Sequence, residues 1–283
     1  MESNDQKSSV NYVEKKRDIL NLEDAINAIK LSGINGIKNS IINSDCLELM
    51  PQIPDKSIDM ILCDLPYGTT ACSWDTIIPF EPLWTQYKRI IKDNGAIVLT
   101  ASQPFTSALV MSNPELFRYS LVWDKVNRYT GTLLANKQPM KRHEDILIFY
   151  KSQPTFNKQF REGKPYYRAR QVSKGVGQYA TNSLIRKPTA NNGQHNPCSI
   201  IPIKGDNKLD MNKHPTQKPV ALFEYLIKTY TNEGDLVLDN CAGSGTTGVA
   251  AKNLKRNFIL IEKEPKYVEI ARERLKSVTQ KLL

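Results

Sequence analysis

The chain has 283 residues, enough for one large or two small domains with a substantial core, and is 40% hydrophobic and 24% charged with a net charge of +10. That composition is ordinary for a globular protein, its longest apolar runs are too short to cross a bilayer, and its basic surplus predicts a polyanionic partner, nucleic acid first. The five cysteines are scattered without a C-x-x-C pair, giving no sign of a disulfide framework or zinc site, and the polar Met1 to Ser9 carries no signal-peptide core, so the expectation is a cytoplasmic protein without metal or membrane partner.

In chain order, residues 1 to 18 read as a loosely attached arm. Leu22, Ala25, Ile26 and Ile29 have helical spacing, ended by Gly33 and Gly36. A short strand over 39–44 ends at Asp45, whose plain reading is the N-cap of a short helix starting at Cys46. Ile58 to Cys63 is an apolar run of strand length. Phe80 to Ile91 is an amphipathic helix, Asn94-Gly95 turns the chain into a strand over 96–100, and Pro104 opens another helix where its missing donor costs nothing. Leu121 to Trp123 and Ile146 to Tyr150 read as further strands.

The strand over 58–63 runs into Asp64-Leu65-Pro66-Tyr67-Gly68. An acid, a proline, an aromatic and a glycine at a strand's carboxyl end suit a rigid active-site loop. The Asp64 carboxylate can accept hydrogen bonds from an amine. Pro66 stiffens the turn, and Tyr67 offers a flat face to a planar substrate. Trp74 and Asp75, further along, could line the same pocket, with core packing the plain alternative for Trp74.

Residues 151–213 interrupt the alternation of strand and helix. The stretch holds twelve Lys and Arg against Glu162, Asp206 and Asp210, a surplus of +9. Glycines and Tyr166, Tyr167 and Tyr179 lie between the basic residues, which predicts a loop-rich insertion binding phosphates and bases.

Regularity returns with His214-Pro215-Thr216-Gln217-Lys218-Pro219 and a helix carrying Leu222, Phe223, Leu226 and Ile227. A strand over 236–238 precedes Asp239-Asn240-Cys241-Ala242-Gly243-Ser244-Gly245-Thr246-Thr247. A helix over 248–254, a strand over 258–261 ending at Glu262 and a last helix from Pro265 follow. A strand, a glycine loop, a helix and an acid closing the next strand form the pattern that holds an adenosine ribose. Because Asp239 and three more residues run into the glycines, the pattern favours S-adenosylmethionine over a nicotinamide dinucleotide, with a purely structural turn as the plain alternative.

These stretches meet in one family. Asp64-Leu65-Pro66-Tyr67 resembles the Asp-Pro-Pro-Tyr motif of amino-group DNA methyltransferases. Asp239 to Thr247 resembles their Asp-Pro-Phe-x-Gly-Ser-Gly-Thr cofactor motif, and His214 to Pro219 resembles a third motif. The order, catalytic motif first and cofactor motif last, is that of the β class, which methylates adenine N6 or, in some members, cytosine N4. Leu65 and Asn240-Cys241 depart from the usual residues.

The resemblance covers about residues 39 to 278 and implies an α/β, Rossmann-like fold that is circularly permuted. Its sheet would be mostly parallel and seven-stranded, with an inserted basic DNA-recognition region. The implied division is an N-terminal arm and helix (1–38), a catalytic half (39–150), the target-recognition insertion (151–213) and a cofactor-binding half (214–283). Asp64, Leu65, Pro66 and Tyr67 would be catalytic, the Leu65 carbonyl and Asp64 holding the two amine protons and Tyr67 stacking on a flipped base.

By the same resemblance S-adenosylmethionine would meet Asp45, Cys46, Asp64, Thr216, Lys218, Asp239, Asn240, Cys241, Gly243, Ser244, Gly245, Thr246 and Glu262. Glu262 would take the ribose, Asp45 the adenine, and Thr216 and Lys218 the methionine carboxylate, Lys218 having a surface cation as its plain reading. Arg161, Arg168, Arg170, Lys174, Arg186 and Lys187 would meet double-stranded DNA. A homodimer and a cognate restriction endonuclease are further partners consistent with the class. Cytosine C5 chemistry would need a thiolate, for which only Cys198 invites the thought. Methylation of RNA or of a protein amide, and an inert nucleic-acid-binding module, are the remaining alternatives.

Overall fold

A computed structural model describes residues 19–69, 72, 75–169, 171–173, 184–205 and 217–278. The expected N-terminal arm lies outside these residues. The described chain forms two compact units, one within Met1–Asn157 and Ser199–Leu283, the other Lys158–Cys198.

In chain order the strands begin β1 (Ile19–Asn21), β2 (Ser40–Asn43), β3 (Ile58–Cys63), β4 (Ile91–Ala101), β5 (Phe117–Asp124) and β6 (His143–Phe149). The smaller unit holds β7 (Arg161–Glu162), β8 (Tyr166–Arg168), β9 (Gln171–Ser173), β10 (Leu184–Arg186), β11 (Thr189–Asn191) and β12 (Gln194–His195). The larger unit resumes with β13 (Ile200–Pro202), β14 (Leu236–Asp239) and β15 (Asn257–Glu262).

The larger unit is built on one nine-stranded sheet in the order β1-β2-β15-β14-β3-β4-β6-β5-β13. Only β6 runs antiparallel to its neighbours, β4 and β5. Seven strands were expected. The two additional ones are three-residue edges, Ile19–Asn21 and Ile200–Pro202, too short to leave a periodic signature. The permuted order is explicit in the sheet: β14 pairs with β3 in parallel, although the two are far apart in sequence. The expected turn at Asn94-Gly95 falls inside β4, where the register against β3 shifts: Ile58 faces Ile91 and Met60 faces Ala96, so β4 carries three extra residues there.

The central strands read as continuous apolar runs because both sheet faces are buried. Ile42, Ile61, Cys63, Ile97, Leu99, Leu238 and Ile259 point to one face. The helices Leu22–Ser32 and Phe80–Ile90 cover that face, as the core residues Ala25, Leu83, Trp84, Tyr87 and Ile90 show. Ile41, Met60, Leu62, Val98, Val237 and Leu260 point to the other, under the helices Val220–Tyr230, Thr246–Asn253 and Pro265–Lys276.

The smaller unit is more regular than the loop-rich insertion expected from its glycines. The pairs β7–β12, β8–β11 and β9–β10 are antiparallel and nested in sequence, each inside the one before, giving a ribbon of three short two-stranded pieces among the described residues. Its strands are only two or three residues long, too short to show a hydrophobic period. The unit is narrower than the basic stretch from 151 to 213. Asn157 Nδ2 donates to the carbonyls of Lys228 and Thr231 in the larger unit, and Ile200–Pro202 pairs with β5 there.

Candidate active site

Four adjacent parallel strands, β2, β15, β14 and β3, end at the same edge of the sheet. Each delivers an acid there: Asp45 just past β2, Glu262 and Asp239 as last residues, and Asp64 just past β3. From β14 the chain order runs toward β15 on one side and from β3 toward β4 on the other, a switch in strand order that opens a crevice. A cleft of about 350 Å³ occupies it, and all four acids line it. The four strand-end acids therefore converge on one crevice.

Asp64 is held by three donors. Its Oδ1 accepts from the Tyr67 hydroxyl at 2.8 Å and from Thr100 Oγ1, while Oδ2 accepts from Lys218 Nζ at 2.6 Å. Burial, then the charges of Asp64 and Glu144, push the Tyr67 phenol well above its ordinary range, so it stays a donor. The Tyr67 ring stacks on Phe105 at 5.2 Å between centroids. Asp75 closes the loop: its two carboxylate oxygens take the backbone N–H groups of Gly68 and Thr69, both at 2.9 Å. Asp75 lines the cleft, as its proximity to the loop suggested, and Trp74 lies outside the described residues.

The glycine loop is tied down from below. Asp239 accepts the Cys241 N–H at 3.1 Å and the Thr247 hydroxyl, folding the loop back on its own strand. Asn240 Oδ1 takes the Tyr87 hydroxyl at 2.5 Å, anchoring the loop to the helix Phe80–Ile90. Gly245 has φ +75°, and a Cβ there would meet Ala271 Cβ at 2.8 Å, so both conformation and space require glycine. Gly248, in the helix that follows, has a packing role, since a Cβ there would lie 2.7 Å from Leu260. Arg274 reaches across from the last helix to the Ser244 carbonyl at 2.6 Å, and Ser244 Oγ donates to Gln217 at 2.9 Å.

Burial raises the Asp239 carboxyl from 3.8 to about 7, against the hydrogen bonds it accepts. The folded state thus prefers the protonated acid. This contribution to stability is full below the unfolded value and is lost as pH rises through about 7. Asp239→Asn mimics the neutral form, so its stability relative to the parent should rise by at least about 1 kcal/mol between pH 5 and 8. Thermal melts in a pH series check this, and a pH-independent difference would contradict it.

Glu262 is buried, and its oxygens accept the N–H groups of Gly243 at 2.7 Å and Glu264 at 2.8 Å. Burial raises its pKa. Asp45 is the N-cap of the short helix Cys46–Leu49, its Oδ1 accepting the Leu47 N–H at 2.9 Å, and it also pairs with Lys263 at 3.1 Å. The capping residue also lines the cleft. The thiols lining the cleft are Cys46 and Cys241. Beneath them burial raises the Cys63 thiol to about 12, so it stays protonated and unreactive.

Lys218 departs from its plain reading. It is buried, not a surface cation, and its ammonium sits on Asp64 and, at 3.3 Å, on Glu144. Thr216 lies outside the described residues. In the smaller unit, Arg161, Arg168 and Lys187 are exposed, and the Arg168 guanidinium lies 4.8 Å from the Tyr166 ring centroid. The backbone of Arg186 is in β10, and Arg170 and Lys174 lie outside the described residues. Among the described residues, no group of three or more His, Cys, Asp and Glu could hold a metal ion, and no helix is long and apolar enough to cross a membrane.

Sequence reasoning missed Thr100, Glu144, Asp75 as loop clamp and Arg274. Thr100 was within reach: Cys63 faces Leu99 across the β3–β4 pair, so the next residues, Asp64 and Thr100, are neighbours once that pairing is drawn.

A family model described as DNA methylase matches residues 58–273. The type II methyltransferase M.HpaI of Haemophilus parainfluenzae is 30% identical over 252 residues, covering 84% of this chain and 74% of its own. M2.LlaDCHI of Lactococcus lactis subsp. cremoris, also a type II methyltransferase, is 30% identical over 294 residues, 89% of this chain and 97% of its own. Among solved structures, M1.HpyAVI in complex with SAM superposes with a TM-score of 0.57 at 28% identity, covering 83% of this chain and 98% of that one. The cytosine-N4-specific PvuII DNA methyltransferase shares the fold, with a TM-score of 0.59 at 17% identity over 85% of this chain and 88% of its own.

Proposed function

Because the chain belongs to the DNA methylase family, and is an S-adenosylmethionine-dependent DNA methyltransferase, we propose that it methylates the N6 amine of adenine in double-stranded DNA, with Asp64 receiving the amine. The observation that carries this reading is the Asp64 carboxylate at the cleft edge. Its Oδ1 takes two hydroxyl donors, whereas Oδ2 takes one ammonium and keeps acceptor capacity. Adenine is favoured by the Asp-Leu-Pro-Tyr loop, which resembles the Asp-Pro-Pro-Tyr motif most often found with adenine N6. The type II names of the relatives support a modification role beside a cognate restriction endonuclease.

The residues fit the cofactor. The cleft falls within the usual size of a small-molecule site, with the backbone of the glycine loop along one wall and the carboxylates of Glu262 and Asp45 along another. When bound, S-adenosylmethionine supplies an electrophilic methyl group on a sulfonium. Glu262 holds the ribose hydroxyls with lone pairs left over from its two backbone bonds. Asp45 and Cys46 flank the adenine, while Asp239, Asn240 and Cys241 shape the loop whose Gly243, Ser244, Gly245 and Thr246 line the methionine part.

An exocyclic amine is a weak nucleophile because its lone pair is delocalised into the ring. The Asp64 carboxylate and the Leu65 carbonyl, by accepting its two protons, draw the nitrogen toward tetrahedral geometry and free that pair. Pro66 fixes the turn that presents them. Positioning and fixed electrostatics then carry most of the rate. Asp64 takes the proton that the methylated amine sheds. The base must leave the duplex, and Tyr67 meets it there. Exposed cations of the basic ribbon, Arg161, Arg168 and Lys187 among them, contact phosphates.

Label from S-adenosylmethionine should enter duplex DNA; entry into RNA or protein instead would overturn the substrate assignment. Glu262→Ala should weaken S-adenosylmethionine binding by about 1.5–3 kcal/mol, the range for a hydrogen bond to a charged group. Calorimetry measures it. Because Glu262 also pins Gly243, Glu262→Gln, which keeps a carbonyl acceptor, should lose less, and unchanged binding in both variants removes Glu262 from the site.

A further inference from the structure

Behind Asp64 lies a row of four alternating charges. Lys218 Nζ sits 2.6 Å from Asp64 Oδ2 and 3.3 Å from Glu144 Oε2, and Lys125 Nζ sits 2.6 Å from Glu144 Oε1. The side chains are 22%, 6%, 15% and 11% exposed from Asp64 through Lys218 and Glu144 to Lys125. They come from four separate places: the loop after β3, the segment before the helix Val220–Tyr230, strand β6 and the residue after β5.

Burying four charges is a poor way to stabilise a fold, since well-packed apolar residues of similar volume do as well or better. The arrangement is better explained by what it does to Asp64. Tyr67 and Thr100 hold Oδ1, and among the described residues Lys218 is the one donor to Oδ2, the oxygen with acceptor capacity left. Glu144 holds the ammonium from the other side, and its Oε2 has no hydrogen-bond partner apart from this charge contact. Lys125 neutralises Glu144 in turn, and its ammonium lies 5.2 Å from the Trp123 ring centroid.

We propose that Lys218, clamped by Glu144 and Lys125, is a positioning residue that fixes Asp64 Oδ2 toward the target amine and compensates its charge in the filled cleft, rather than a ligand of the cofactor carboxylate. The proposal rests on the reading of Asp64 as the amine acceptor. Burial works against the charge of Lys218, yet Asp64 and Glu144 together keep its pKa above the ordinary value, so its ammonium stays charged.

The test is single-turnover methylation of plasmid DNA at saturating S-adenosylmethionine. Lys218→Met should lower the rate about ten- to a hundredfold, the scale for displacing a reacting group by about an ångström, while S-adenosylmethionine affinity by calorimetry stays unchanged. Lys218→Arg should recover part of the loss. Glu144→Gln should fall in the same direction, and these two variants carry the test if Lys218→Met does not fold. In an Asp64→Asn background, Lys218→Met should cost nothing further, because it acts through Asp64. Weakened cofactor binding with an unchanged saturated rate would make Lys218 a cofactor ligand and overturn the proposal. Failure of the underlying reading is distinct, since Asp64→Asn alone would then be fully active.

Discussion

Asp64→Asn should lower turnover by at least about a hundredfold, comparable to losing one oxyanion-hole donor. The hydrogen bond from the amine to Asp64 strengthens as the nitrogen becomes tetrahedral, so its loss is felt in the transition state more than in the ground state. Affinity for S-adenosylmethionine and for DNA should therefore change much less. The surroundings sharpen the expectation. Whichever way the new amide turns, its NH2 faces either the Lys218 ammonium or the two hydroxyls on Oδ1. Lys218 keeps Glu144 as a counter-ion, so the fold should survive at reduced stability. If Asp64 were only a loop anchor, the variant would melt earlier and still turn over normally when folded. A melting curve beside a single-turnover assay separates these outcomes. Tyr67→Ala makes a useful contrast, because it removes both a donor to Asp64 and the ring proposed to meet the base.

The second large effect is on DNA binding. The ribbon Lys158–Cys198 carries eight Lys and Arg against one acid, Glu162. Each phosphate neutralised adds about −0.9 to the slope of log affinity against log salt. Affinity should therefore fall steeply with salt, by about a thousandfold or more between 50 and 200 mM if six or more phosphates are met. Replacing Arg168, Arg170 and Lys174 with Gln together should flatten the slope by up to about 2.7, at 0.9 for each contact. A slope that survives intact would place the phosphate contacts elsewhere. Filter binding or fluorescence anisotropy on one duplex across a salt series measures it.

The parts of the fold that were legible in the sequence are those buried on both sides. Ile58–Cys63 and Leu236–Asp239 are continuous apolar runs ended by acids, and no other structure suits such runs beside amphipathic helices. The strand-end acids were legible for the same reason, because a parallel sheet brings carboxyl ends to one edge. The ribbon was not legible, because strands of two or three residues are too short to set a hydrophobic period, and their register shows only in the backbone pairing.

The row behind Asp64 was hidden for a different reason. Glu144 and Lys125 look like surface charges near strand ends; the antiparallel pairing of β5 with β6 brings them together, and Lys218 meets Glu144 from the segment before the helix Val220–Tyr230. Lys218 itself was placed by resemblance near the cofactor, whereas its nearest charge is Asp64. Arg274 belongs to an exposed-looking amphipathic helix, and its reach into the glycine loop depends on how that helix packs.

The central claim is that a carboxylate-gripped exocyclic amine of adenine is the methyl acceptor. Its most direct test is to incubate the protein with plasmid DNA and S-adenosylmethionine labelled in the methyl group, digest the DNA to nucleosides and separate them. The label should appear in N6-methyldeoxyadenosine, and the Asp64→Asn protein should deliver about a hundredfold less of it. Label in N4-methyldeoxycytidine would keep the mechanism and contradict the base, whereas label in 5-methyldeoxycytidine, or full labelling by a well-folded Asp64→Asn protein, would contradict the mechanism itself.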